Sequence, residues 1–204
     1  MLDVDHGTYP FVTSSSAVAG GACTGGGVGP TAVDAVVGVI KAYTTRVGEG
    51  PFPTELTGAT SERLREGGSE YGATTGRPRR CGWFDGVVAR YSRRINGLTG
   101  MALTKLDVLD GFPEIKVCTA YRYKGATIKE MPYGLAEWRG AKPVYKTVRG
   151  WSRPTAGVRS FGRLPREARD YVKFLEDVTE CPFKLISTGA GREDTIEVGD
   201  PYAR

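Results

Sequence analysis

The chain has 204 residues, 40% of them hydrophobic and 25% charged, with a formal net charge of +5. That is enough apolar material to bury a core as one large domain or two small ones, with the charge content of an ordinary soluble globular protein. No apolar run is long enough to span a bilayer, and the opening residues, with Asp3 and Asp5, lack a basic-then-apolar secretion signal, so a cytoplasmic protein without membrane contact is expected. Cys23, Cys81, Cys118 and Cys181 lie far apart with no Cys-x-x-Cys spacing, which argues against a structural zinc site or a disulfide framework and fits a reducing cytosol. The 28 basic residues are interleaved with 23 acidic ones and form no block of five. Small phosphorylated ligands account for that balance at least as well as nucleic acid does.

In chain order, Leu2-Asp3-Val4 reads as the end of a strand running into a loop. Pro30, followed by Val33, Val36, Val37 and Ile40, predicts a buried helix of about three turns. Residues 42–47 read as a strand. Phe84, Val87, Val88, Tyr91 and Ile95 fall on one helical face, with Asp85 early and Arg93 and Arg94 late, as the helix dipole favours. Residues 101–106 and 115–123 predict strands. Pro165 opens a helix with Ala168, Tyr171, Val172, Leu175 and Val178 on one side, and 183–187 is the last strand. Strands alternating with helices predict an α/β fold with ligand loops at the strand ends.

Several strings carry chemistry. Thr104-Lys105-Leu106-Asp107 stands where a strand meets a loop. A carboxylate there can accept both N1–H and the N2 amino protons of guanine, a pair of donors that adenine lacks on that edge. A lysine two residues earlier shares a side of an extended strand, and its stem can lie along the purine face. Without other support the tetrapeptide reads equally as a strand end followed by solvated charges. Residues 72–80 place Thr74, Thr75, Arg77, Arg79 and Arg80 between glycines and a proline. Arginine forks match carboxylate and phosphate, and threonine hydroxyls can bond the same oxygens; a solvated basic loop is the plainer alternative. Thr13-Ser14-Ser15-Ser16 is either a phosphate-holding turn or a polar loop. His6, the single histidine, sits beside Asp5 and near Asp3 and is either a general base oriented by aspartate or a structural hydrogen-bonding residue. No Gly-x-x-x-x-Gly-Lys-Ser/Thr occurs; Gly25-Gly26-Gly27-Val28-Gly29-Pro30 lacks the Lys-Ser/Thr and reads as an entry into the helix expected at Pro30.

Taken in order, these strings resemble the adenylosuccinate synthetase family over essentially the whole chain. The resemblance is carried by Leu2-Asp3-Val4-Asp5-His6-Gly7-Thr8-Tyr9-Pro10 with Val12-Thr13-Ser14-Ser15, by Lys41-Ala42-Tyr43 through Thr45-Arg46-Val47-Gly48, by Gly50-Pro51-Phe52-Pro53-Thr54-Glu55, by residues 72–80, by Leu103 to Gly111 and by Ile186-Ser187-Thr188-Gly189. It implies a GTP-dependent, magnesium-requiring ligase that joins L-aspartate to IMP, and a homodimer when full length, with no nucleic-acid partner. By resemblance, Thr13 meets the IMP phosphate, and Val47 with Gly48 lies near its ribose. Thr74, Thr75, Gly76, Arg77 and Arg79 hold aspartate, Arg77 also touching IMP and Arg79 reaching GTP. Lys105, Leu106 and Asp107 select guanine, closed in by Ser187, Thr188 and Gly189. Ala190 departs from the proline common after Ser-Thr-Gly in relatives, a change expected to affect local stiffness more than specificity.

The larger departure is that the family's phosphate-binding loop, catalytic aspartate and histidine, and magnesium contacts have no counterpart in this sequence. The chain therefore reads as a C-terminal portion of a P-loop-like mixed-sheet nucleotide-binding enzyme. Residues 1–48 are expected to belong with the main nucleotide-binding sheet, and residues 49–204 to form the α/β region with the aspartate loop and guanine pocket. No catalytic residue and no metal ligand is expected within the chain, which alone is expected not to turn over. The alternative reading is a guanine-nucleotide-binding module without catalysis.

Overall fold

Three short apolar runs become the parallel strands of the main sheet. The computed structural model describes residues 1–203, with elements α1 (Gly20–Gly26), β1 (Val37–Lys41), β2 (Thr44–Arg46), α2 (Gly58–Gly67), β3 (Arg80–Gly82), β4 (Phe84–Asp85), α3 (Gly86–Asn96), β5 (Gly100–Thr104), β6 (Glu114–Tyr123), β7 (Ala126–Ile128), α4 (Leu135–Gly140), β8 (Lys142–Arg149), α5 (Arg166–Thr179), β9 (Phe183–Ser187) and β10 (Thr195–Glu197). The main sheet runs β1-β5-β9-β10, the first three strands parallel and β10 antiparallel to β9. A second sheet is built on β6, with β4, β7 and β8 beside it, and β2 and β3 form an antiparallel ribbon. The mixed α/β class expected from the alternation is the one observed.

The two helices read from their periodicity form. In α3 the Asp85 carboxylate caps the first turn by accepting from Val87 N and Val88 N, both at 3.2 Å, and Gly97 ends the helix at φ 59°. In α5, Ala168, Tyr171, Val172 and Leu175 are buried in the main core together with Leu103, Phe183 and Ile186 of the sheet. The Tyr171 hydroxyl donates to Ala42 O at 2.6 Å and ties that helix to the end of β1. Beneath β6 a smaller cluster packs Val87, Cys118, Tyr121, Met131 and Trp138.

Two expected elements are not there. Pro30 opens only a single 3-10 turn, Pro30–Ala32; Val33 and Val36 lie in the irregular segment after it, and Val37 and Ile40 belong to β1. Much of their i, i+3, i+4 spacing is a by-product of the β-branched pairs Val36-Val37 and Val39-Ile40 on either side of Gly38, a composition that favours extended backbone over helix. Leu2-Asp3-Val4 is a loop rather than a strand end. Its shape is set by the buried Asp3 carboxylate, which accepts from the amides of Asp5 (3.0 Å), His6 (2.8 Å) and Ala17 (2.5 Å). Burial pushes against that charge, but the three amides hold the Asp3 carboxyl below its ordinary value. Of 42–47 only Thr44–Arg46 is strand, and α1, α2, α4, β7, β8 and β10 add elements that the sequence pattern did not single out.

Asp85 is also where the fold meets pH. It is buried, receives the Tyr121 hydroxyl at 2.6 Å, and burial raises its pKa from 3.8 to about 6 against the pull of Tyr121 and the helix amides. The folded state therefore holds this proton more tightly than the unfolded chain. Its contribution is full below 3.8 and is lost as pH rises through about 6. Asp85 alone is expected to make the protein roughly 1 kcal/mol less stable at pH 8 than at pH 5. Asp85→Asn, which keeps a capping oxygen, should shrink the pH 5 to pH 8 difference measured by urea unfolding by that amount.

Candidate functional site

Parallel pairing puts the C-terminal ends of β1, β5 and β9 side by side, with Lys41 opposite Thr104 and Leu103 opposite Ile186. Lys105 then turns the chain at φ 60°, and Asp107 opens the 3-10 turn Asp107–Leu109. Lys105 and Asp107 are thus not two alternate positions of one strand, as the spacing suggested. The positive φ brings the lysine back toward Gly68, whose carbonyl accepts from its Nζ, while the aspartate starts a new turn. Leu106 between them is fully buried, and its amide donates to Ser187 O at 3.2 Å, stitching the two strand ends together. On the β9 side Ser187 Oγ donates to Gly189 O at 2.7 Å. Thr188 is turned inward, its hydroxyl spent on Val158 O (3.0 Å) and Asp194 O (3.1 Å). A Cβ at Gly189 would come within 2.6 Å of Asp194 Oδ2, so any side chain there would have to push the Asp194 carboxylate aside.

The two aspartates of this corner differ. Asp110 is fully used, by Trp151 Nε1 (2.5 Å), Thr155 N (2.7 Å) and Thr155 Oγ1 (2.8 Å). Asp107 is half-buried, its carboxylate accepts no hydrogen bond from another residue among those described, and burial chiefly raises its pKa. An anchored carboxylate and an unspent one, three residues apart, leave Asp107 as the group able to meet a ligand's donors.

Residues 71–78 form an exposed hairpin closed by Gly72 N to Arg77 O (2.8 Å) and Arg79 N to Glu70 O (2.8 Å), with Gly76 at φ 63°. Thr74, Thr75, Gly76 and Arg77 all lie on its exposed part. The arginines that follow are tied down. Arg79 Nη1 donates to Glu70 Oε2 at 2.8 Å, and Arg80 grips Glu55 with two bonds, at 2.7 and 2.5 Å. Glu70 is the hub of this region and was missed in the sequence, where nothing periodic marks it. Its side chain is 0% exposed and also takes Lys41 Nζ at 2.7 Å on each oxygen and the Tyr43 hydroxyl at 2.6 Å. Burial opposes the charge, but Lys41, Tyr43 and Arg79 together pull the Glu70 pKa below its ordinary value. Lys41 moves in the direction a buried amine takes: desolvation lowers its pKa more than Glu70 raises it.

Thr13, Val47 and Gly48 form a separate group. Thr13 Oγ1 lies 3.0 Å from Ser15 Oγ, and its amide donates to Leu2 O at 2.7 Å. Arg46, 4% exposed, clamps this segment to the turn after β2: its Nη2 donates to Thr8 Oγ1 and Phe11 O, both 3.0 Å, and its Nε to Glu49 O at 2.9 Å. The ribbon links the two groups, since Arg46 of β2 stands opposite Arg80 of β3, and Arg80 bonds the carbonyls of Gly48 (3.2 Å) and Gly50 (2.9 Å). His6 is structural: Asp3 receives its backbone amide, and its ring nitrogen Nδ1 lies 3.3 Å from the Tyr91 hydroxyl. A groove of about 670 Å³ runs along β1, lined mainly by apolar residues such as Val37, Val39, Val88 and Leu98, with Lys41, Tyr43 and Asp85 also on its wall.

The chain is an α/β protein whose parallel strand ends present a lysine, an unspent aspartate and backbone groups beside an arginine loop, the edge at which open α/β sheets commonly place their ligands. A sequence model described as adenylosuccinate synthetase matches residues 1–196. The chain is 57% identical over 203 residues to the adenylosuccinate synthetase of Geobacter metallireducens, covering 100% of this chain and 47% of that protein. It is 57% identical over 198 residues to that of Streptomyces coelicolor, covering 97% and 46%. The solved structure of fully ligated adenylosuccinate synthetase from Plasmodium falciparum matches it with a TM-score of 0.94 and 40% identity, over 97% of this chain and 48% of that one. The chain belongs to the adenylosuccinate synthetase family, and it spans about half the length of the curated relatives it matches.

Gly68 has a steric reason at this site: a Cβ there would stand 2.0 Å from the Tyr43 hydroxyl and 2.9 Å from Leu64 O. Gly68→Ala must displace Tyr43 from Glu70 and is expected to cost about 1–3 kcal/mol in urea unfolding. Its neighbour Gly67, whose Cβ would meet only Val108 Cγ1 at 3.6 Å, is the control: Gly67→Ala should be neutral or stabilising.

Proposed function

We infer that this chain contributes the guanine- and aspartate-recognising part of a GTP-dependent ligase that joins L-aspartate to IMP, giving adenylosuccinate, GDP and phosphate. The observation that carries the reading is the joined corner of Lys105-Leu106-Asp107 and Ser187-Thr188-Gly189, held by the Leu106-to-Ser187 bond, in a chain of this family. In the reading, Asp107 accepts the two guanine donors, the Lys105 stem covers the purine, and Ser187, Thr188 and Gly189 enclose it with backbone groups. Arg79 lies between this corner and the loop. Thr74, Thr75, Gly76 and Arg77 offer hydroxyls, amides and a guanidinium to the aspartate carboxylates, Arg77 also meeting IMP, and Thr13, Val47 and Gly48 receive the phosphate and ribose of IMP. GTP phosphorylates the 6-oxygen of IMP, and the aspartate amine then displaces phosphate at C6. This chain's residues bind and orient for those steps.

Magnesium belongs to the reading only through the family. Among the described residues no group of three or more His, Cys, Asp or Glu stands where it could hold a metal ion, so no step here is routed through one. The same proposal assigns residues 1–48 to the main nucleotide-binding sheet and residues 49–204 to the α/β region, although β1 shares its sheet with β5, β9 and β10 of the second segment. It also includes a cytoplasmic homodimer of the full-length enzyme, without nucleic acid. No described helix is long and apolar enough to cross a membrane. A second reading, a nucleotide-binding module without turnover, is favoured by the engagement of His6 with Tyr91, which leaves the single histidine structural.

The test is GDP titration of the chain by calorimetry, with ADP and Asp107→Asn as controls. GDP should bind saturably, and ADP and the variant should each bind at least about tenfold more weakly. Equal binding of GDP and ADP, or no binding by a chain that still melts cooperatively, would overturn the guanine assignment. Product formed from IMP, GTP and aspartate by the purified chain would overturn its reading as a binding part only.

A further inference from the structure

We propose that Glu70 is a positioning residue that couples the arginine loop to the purine corner, so that an anion held by the loop changes how Lys105 is presented. The inference rests on the reading of Lys105 as part of the guanine site. Its basis is the sharing of one carboxylate. Glu70 Oε2 accepts from Arg79 Nη1 at 2.8 Å and from Lys41 Nζ at 2.7 Å. Oε1 accepts from Lys41 and Tyr43, with Lys105 Nζ 3.7 Å away. Three cations from three parts of the chain thus face a single buried negative charge: Lys41 from the end of β1, Arg79 from the base of the loop, and Lys105 from the turn after β5.

The arrangement is short of negative charge, and its members differ in freedom. Lys41 and Tyr43 are fixed in and just after β1, and the Tyr43 ring is buried. Arg79 and Lys105 are 27% and 35% exposed at their side chains, against 0% for Glu70, so both can meet a ligand while their counter-charge cannot move to follow. Arg79 Nε is buried without a partner, which leaves this guanidinium incompletely satisfied by Glu70 alone. When an anion on the loop draws Arg79 away, Glu70 loses one of its close donors, and Lys105, standing at 3.7 Å, is the cation able to close on it. Occupancy on one side thereby resets the lysine on the other, and the coupling runs equally in reverse.

The experiment uses the 204-residue chain, Glu70→Gln and Arg79→Gln, with two readouts taken on the same samples. The first needs no nucleotide: tryptic cleavage of the Arg79–Arg80 bond and acylation of the Lys105 amine, both followed by mass spectrometry, with Lys116 of β6 as the control lysine. Glu70→Gln should speed both loop cleavage and Lys105 acylation by about fivefold or more while Lys116 is unchanged. Arg79→Gln, a substitution at a partly exposed side chain, should slow Lys105 acylation, and it decides the matter if Glu70→Gln does not fold. A Lys105 rate that ignores Arg79→Gln, or an acceleration in Glu70→Gln shared equally by Lys116, would overturn the proposal. The second readout is GDP affinity, expected to fall about fivefold or more in Glu70→Gln. If Lys105 responds as expected while the unsubstituted chain binds no GDP, the coupling stands and it is the guanine reading that has failed.

Discussion

The parallel pairing of β1, β5 and β9 sets where every polar group of the site arrives. Strands that run the same way finish at one level, and each is released into a loop there, so Lys41, Thr104 and Ser187 emerge as neighbours although they are far apart in sequence. Buried side chains below that level, Met101, Leu103, Phe183 and Ile186 among them, are anchored against α5 and leave the strands little freedom to slip. A one-residue shift of β5 would exchange its buried and half-buried faces and carry Lys105 and Asp107 away from Ser187.

Upon that frame the electrostatics are uneven. A buried carboxylate is expensive unless several donors meet it, and Glu70 has Lys41, Tyr43 and Arg79 at hydrogen-bonding distance. Lys41 has its pKa lowered and Glu70 has its own lowered too, so the arrangement favours the carboxylate charge while straining the ammonium. Such a cluster contributes little net stability, because desolvation offsets most of the attraction, but it fixes geometry strongly. Arg46 meets the opposite problem without any acid: its Nε and Nη2 donate to Glu49 O, Phe11 O and Thr8 Oγ1 and tie two loops together, while Nη1 stays buried without a partner.

The sequence made the two amphipathic helices and the strands at 115–123 and 183–187 legible, and that at 101–106 as far as Thr104, because each buries one face or both and the period records it. It misled at Pro30, where β-branched valines counterfeit a helical spacing, and at Leu2–Val4, where a buried Asp3 rather than a strand organises the chain. For the site, the string around Lys105 and Asp107 marked a ligand corner, but the geometry behind it was read wrongly: the lysine reaches its place through a positive φ and not through strand alternation. Glu70 was not marked at all, and Lys41, Tyr43 and Arg46 stood only within strings that carry the resemblance, with no role assigned to them. A buried charge is defined by what surrounds it in space, and the hydrogen-bond partners of Glu70 come from segments up to 29 positions distant.

The three arginines that the sequence presents as one cluster show how such a loop divides its labour. Arg80, bound bidentately to Glu55 and to the carbonyls of Gly48 and Gly50, belongs to the frame. Arg79 is held by one bond to a shared carboxylate and keeps a buried, unpartnered Nε, so it stands between frame and ligand. Arg77 lies on the exposed hairpin beside Thr74 and Thr75. Anchoring therefore weakens step by step from the ribbon toward the tip. A loop graded in this way can close on a small dianion without melting its base, because the residues that must move are not those that hold the sheet. In the proposed reading that is what aspartate capture requires: guanidiniums and hydroxyls free to converge on two carboxylates, carried on a hinge whose other end is already joined, through Glu70, to the corner that reads the nucleotide.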